Sequence, residues 1–155
     1  MRARRATRYD GRELRASITE SLDVFAARRK GRELAAAIGF APNACIEIAI
    51  VVSELATNIV KYGVRGEIVM RKVAEPVGIE LIAEDEGPPV ACFATAVRDG
   101  YGDRGPIEPD KQLGRGGIGA GLGAVVRLSD DLGWEPTSDG KLVWAVRYAK
   151  RLKKF

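Results

Sequence analysis

The chain has 155 residues, 46% of them hydrophobic and 30% charged, with a formal net charge of +4, no histidine and two cysteines. That length and balance suit one globular domain with a substantial core and count against a mostly disordered chain. Without histidine there is no Ser-His or Cys-His pair and no autophosphorylated histidine, so any chemistry must rest on carboxylates.

Cys45 and Cys92 are too far apart in sequence for a CxxC pair, and a structural zinc would lack ligands. The first residues, MRARRATRYDGRE, are basic but lack the apolar run of a signal peptide. No apolar stretch approaches the length of a membrane span, which points to the cytoplasm and to no membrane partner. Much of the positive excess lies in RARR at the start and KRLKK at the end, and the few aromatic residues do not interleave with it. Nucleic acid is therefore not the expected partner.

In chain order, Glu13 to Glu20 reads as a first strand. From Leu22 to Ile38, Leu22, Phe25, Ala26, Leu34, Ala37 and Ile38 recur at helical spacing, with Gly39 as a stop and Gly31 tolerated inside. The next segment is ambiguous, because CIEIAIVV alternates and is rich in β-branched residues. Pro42 can open a helix, Ile48, Val52, Leu55 and Ile59 repeat at helical intervals, and Gly63 can close it, so a long buried helix is predicted over 42–62. Strands over 67–73 and 77–85 follow, joined at AEP as a hairpin. Residues 86–120 are too rich in Gly, Pro and charge for core, and a loop of that length in a compact domain usually has a function. After it, GLGAVVRLSDDL reads as a helix, LGWEP as a strand end, TSDG as a turn and KLVWAVRYA as a last strand. With no internal repeat or linker, residues 1–155 read as a single α/β domain with a loop that can serve as a lid at about 98–120.

Three stretches can carry chemistry. On a helix, Glu54, Asn58 and Lys61 lie at i, i+4 and i+7 and share a face. On an ordinary surface helix that would be the wet side, but the surrounding density of Ile and Val leaves little exposed surface to spare. The second stretch is AEDEGPP, where Asp85 ends an apolar strand just before Gly87, presenting a carboxylate where a flat ligand can approach; plain turn chemistry gives the same pattern. The third is GRGGIGAGLG, residues 114–123, whose glycines run into an apolar helix and let backbone N–H groups converge on phosphate oxygens. Gly114, Gly116 and Gly119 fit GxGxxG, but the DKQL before them is no strand, and no GxxxxGK[ST] is present.

In this order the three stretches resemble the N, G1 and G2 boxes of the GHKL ATPase superfamily, here SELATNIVKYG, EDEGPP and GGIGAGLG. RKGRELAAAIGF, DGYGDRG and GLGAVVRLSDDL are similar to one branch, the small serine-protein kinases of bacterial partner-switching systems of the RsbT type. The resemblance runs from about Ile18 to the last strand. It implies a Bergerat fold, a two-layer sandwich of a mixed, mostly antiparallel sheet covered on one face by helices. It also implies an ATP- and Mg²⁺-dependent serine/threonine protein kinase whose substrate is a STAS-domain antagonist, in stress or sigma-factor regulation. Asn58 would then hold Mg²⁺ against the phosphates, Glu54 would act as base toward the attacking hydroxyl, and Asp85 would accept a hydrogen bond from the adenine amino group. Gly87 would give adenine room, and Gly117, Gly119, Gly121, Leu122 and Gly123 would wrap the phosphates. Lys61 and Arg127 either neutralise phosphate charge or are solvated or packing side chains.

The chain departs from the family pattern at Pro89, where a second Gly is usual, and in GPIEPDKQLGR, which lengthens the loop. Those departures motivate an alternative: a nucleotide-gated binding module that sequesters a sigma factor or activates a phosphatase with little catalysis.

Overall fold

The computed structural model describes residues 9–87, 101–102, 105–106 and 122–151. In chain order these form strand β1 (Tyr9–Ile18), helix α1 (Ser21–Ile38), helix α2 (Pro42–Tyr62), and strands β2 (Gly66–Ala74) and β3 (Val77–Asp85). The two-residue strands β4 (Tyr101–Gly102) and β5 (Gly105–Pro106) pair with each other within the expected loop. Helix α3 (Leu122–Leu128) and strands β6 (Asp131–Pro136) and β7 (Lys141–Tyr148) complete the described chain.

The main sheet has five strands in the order β1-β2-β3-β7-β6. Every pairing in it is antiparallel, which sharpens the expected mixed, mostly antiparallel sheet. β1 and β6 are its edges. Along β1 the register with β2 shifts between Tyr9 and Glu13, where Gly11 takes a left-handed φ of +87°.

The three helices among the described residues pack on one face. Ile18, Ile68 and Leu81 from the sheet meet Leu34 of α1, Val52 and Leu55 of α2, and Val125 of α3 in one core. The opposite face carries a second cluster of Val69, Val73, Ile82, Trp144, Val146 and Tyr148, to which no described helix contributes. The period-2 alternation of β7 thus sorts Val143 and Ala145 to the helices and Trp144 and Val146 to the other side.

α2 has the predicted bounds. Pro42 stands at its first turn, where a missing N–H costs nothing, and the Gly63 N–H donates to the Ile59 carbonyl at 2.9 Å to close it. Ile48, Val52, Leu55 and Ile59 are all buried, and this burial outweighs the local preference of CIEIAIVV for extended backbone. At 21 residues α2 is also long and apolar enough to cross a membrane by length and composition, so the expectation that no stretch approaches that length does not hold. Much of its apolar surface packs on α1, α3 and the sheet, while Ile46 stays exposed.

The bounds of β1 and α3 differ most from the sequence reading. β1 begins earlier and stops at Ile18, because Asp23 Oδ2 accepts the N–H groups of Thr19 (2.9 Å) and Glu20 (3.0 Å) and the Thr19 hydroxyl (3.0 Å), turning the chain into α1 at Ser21. Those hydrogen bonds hold the Asp23 carboxyl below its usual pKa, those from the backbone first. α3 ends at Leu128 rather than running through Leu132, since Asp130 already joins the sheet: its N–H donates to Val146 O and its Oδ2 accepts the Tyr148 N–H, both at 2.8 Å. α1 keeps Gly31 inside because the residue faces α2, where a Cβ would lie 2.7 Å from Val52 Cγ2. It ends, as expected, at Gly39, whose φ of +110° only glycine adopts readily.

Candidate functional site

The face of α2 that carries Glu54, Asn58 and Lys61 runs from the interior to the surface. Glu54 is 3% exposed, Asn58 half-buried and Lys61 exposed. A solvated stripe would not bury its carboxylate, so Glu54 decides against the bland reading. Among the described residues, no hydrogen bond uses the Asn58 side chain. Its amide oxygen is a hard donor suited to Mg²⁺, which commonly takes few protein ligands beside phosphates and water.

The C-terminal end of α2 meets the end of β3. Asp85 is buried there, and its Oδ1 accepts both the Gly87 N–H at 2.6 Å and the Lys141 ammonium at 3.0 Å. Sheet order explains the ion pair, since β3 neighbours β7 and Asp85 is the register partner of Lys141. Asp85 Oδ2 receives no hydrogen bond among the described residues. Glycines make room around the carboxylate. A Cβ at Gly63 would lie 2.7 Å from Asp85 Cγ, and one at Gly87 would lie 2.7 Å from Asp85 Oδ1 and from Gly63 Cα. Any side chain at either position would fill the cradle. An acceptor oxygen in a cradle kept open by glycine fits a flat ligand bearing an N–H donor, such as the amino edge of adenine. The Glu86 N–H donates to Val64 O at 2.8 Å and pins this corner to the segment after α2.

Leu122 and Gly123 are buried at the start of α3. Arg127 stands exposed in its last turn, and its carbonyl accepts Arg151 Nη2 at 3.1 Å. Gly117, Gly119, Gly121 and Pro89 lie outside the described residues.

The sequence reading missed two cations. Lys141 and Arg147 both lie on the helix-facing side of β7, and each is 7% exposed. Arg147 Nη1 donates to Glu47 of α2 at 2.7 Å and to the Leu128 carbonyl at 2.9 Å, joining β7, α2 and the end of α3. The available signal was a strand whose alternate positions, 141, 143, 145 and 147, read Lys, Val, Ala, Arg: two cations closing an apolar face.

Residues 19–147 match the histidine kinase-like ATPase domain family. The chain is 32% identical over 131 residues to the serine/threonine-protein kinase RsbT of Bacillus subtilis (strain 168), covering 83% of this chain and 90% of that protein. With the antiparallel sheet, the helices on one face and the three boxes in order, the chain belongs to the histidine kinase-like ATPase domain family, as an RsbT-like kinase of the GHKL type.

Proposed function

We propose that the chain is a cytoplasmic, ATP- and Mg²⁺-dependent serine/threonine kinase that phosphorylates a STAS-domain antagonist in a bacterial partner-switching pathway. The observation that carries the reading is the burial of Glu54, 3% exposed, on the same helical face as an Asn58 amide that no described residue engages.

The two residues are one helical turn apart, about 6 Å along the axis. Asp85 Oδ2 accepts the exocyclic amino group of the base, and Gly63 and Gly87 keep the approach open. Asn58 supplies an oxygen to Mg²⁺, which when bound neutralises charge on the phosphates. Leu122 and Gly123, at the start of α3, contribute to the phosphate end of the site. Glu54 takes the proton of the attacking hydroxyl. Phosphoryl transfer needs mainly positioning and charge neutralisation, so one carboxylate beside the acceptor is enough.

The test is Glu54→Gln, with binding of the β,γ-imido analogue of ATP measured calorimetrically and phosphate transfer measured on a STAS-domain substrate. Binding is expected to persist while transfer falls by about 10²–10⁴-fold, the usual contribution of a positioned base. Undiminished transfer would remove Glu54 from the mechanism. In parallel, Asn58→Ala is expected to abolish the Mg²⁺ dependence of nucleotide binding.

A further inference from the structure

We propose that the outer face of α1, centred on Leu22 and Phe25 and bordered by Arg28, Arg29 and Arg32, docks the protein substrate, a partner whose contacting surface sets an apolar hollow inside an acidic rim. The inference rests on the reading of the chain as a protein kinase and deepens it.

Leu22 is 70% and Phe25 65% exposed, more than any other large hydrophobic side chain among the described residues. Positions 22, 25, 29 and 32 stand at i, i+3, i+7 and i+10, so two apolar side chains and two arginines share one stripe, with Arg28 at its margin. The stripe is the side of α1 turned from the core, since Ala27, Gly31, Leu34 and Ala35 are its buried residues. A single exposed Leu needs no explanation, but a neighbouring Leu and Phe left in water, on a helix whose other face is already packed, contribute little to folding.

Arg28, Arg29 and Arg32 are exposed, and among the described residues no hydrogen bond or ion pair uses their guanidinium groups. Lys30 differs, because its ammonium reaches the Arg15 carbonyl at 3.1 Å. Beyond the first turn Glu33 is the one acid on α1, so the helix does not offset the charge of its arginines. Aromatic and arginine side chains together are what protein interfaces concentrate at their energetic centres. The complement of this stripe is a set of carboxylates around an apolar hollow.

The place of the stripe favours the substrate as its occupant. Only residues 39–41 join α1 to α2, so the two helices run antiparallel, and Gly31 meets Val52. Six residues back along α1 and six forward along α2 from that contact, Phe25 stands level with Asn58; two each way, Arg29 stands level with Glu54. Packed helices lie about 8–10 Å apart, so a folded domain that grips α1 spans the distance to the Glu54 end of the site with one of its loops.

The experiment is steady-state phosphorylation of the STAS-domain substrate of the Glu54 assay by the full chain, by a Leu22→Ser, Phe25→Ser double variant and by an Arg29→Glu, Arg32→Glu double variant. Each variant is expected to raise KM for that protein by about tenfold or more, the cost of losing an interface anchor, with kcat and binding of the β,γ-imido analogue of ATP unchanged. All four side chains are exposed, so the thermal unfolding midpoint should not move. The KM of the unmodified chain is expected to rise with added salt, and the arginine variant to lose that rise. An unchanged KM in either variant overturns the docking face and leaves the kinase reading standing. Two other outcomes assign the face elsewhere and overturn the proposal as well: a dimer in sedimentation that the Leu22→Ser, Phe25→Ser variant dissolves, or co-sedimentation with phosphatidylglycerol vesicles that the arginine variant loses. If the unmodified chain transfers no phosphate, the kinase reading fails before any variant is made, and this inference falls with it.

Discussion

Asp85 and Lys141 bury opposite charges 3.0 Å apart, an ion pair that joins the end of β3 to the start of β7. Breaking a buried ion pair by removing one partner typically costs about 3–5 kcal/mol, whereas replacing both with apolar groups is often neutral. Asp85→Ala is therefore expected to lower the denaturant midpoint sharply, and Asp85→Ala with Lys141→Met to recover much of it. Neither variant should bind nucleotide. Equal destabilisation by the single and double variants would show that the ion pair does not stabilise this corner. The sequence marks Asp85 and Gly87 locally, as a carboxylate at a strand end before glycine. It does not mark Lys141, because the pairing spans 56 positions and exists only once β7 lies beside β3.

Among the elements, α2 was legible because helix and strand spacing made opposite demands on Ile48, Val52, Leu55 and Ile59, and only the helical one gathers them on a single stripe. The end of α3 was not legible. GLGAVVRLSDDL carries no internal stop, and the helix ends where Asp130 finds partners on β7, a tertiary event. The α1–α2 contact shows the same limit. Gly31 looks like a tolerated flaw in α1, yet Val52 packs against it, and a side chain there must displace the Val52 methyl group. Gly31→Val is expected to destabilise by about 1–3 kcal/mol through overpacking, despite removing a poor helix former. Adding Val52→Ala should return part of that loss, because the two residues share one gap. Thermal unfolding of the single and double variants measures the coupling, and strict additivity would place the strain elsewhere.

Over the whole molecule, the order of boxes in the sequence was enough to anticipate a sheet with helices on one face, but not the buried cluster on the other, where Trp144 is 1% exposed. Alternation in β7 placed that residue opposite Val143 and Ala145 without saying that the second face would also be dry. Acid stability is likewise a property of the whole fold with a local source. The Asp23 pKa is lowered by the Thr19 and Glu20 N–H groups and by the Thr19 hydroxyl, so its contribution is fully present above the unfolded value of about 4. It is lost as pH falls through the lower folded value. Asp23→Asn should flatten the melting-temperature profile in that acid window relative to the unmodified chain; parallel profiles would assign the acid limb to other carboxylates.

The two edges of the sheet bear on how molecules meet one another. An uninterrupted edge strand offers a row of N–H and C=O groups to any extended chain that comes past. In β1 that row is broken by the register shift around Gly11, and in β6 Pro136 has no N–H to offer. Each interruption shortens the ladder that a second copy could join, to Glu13–Ile18 on β1 and Asp131–Glu135 on β6.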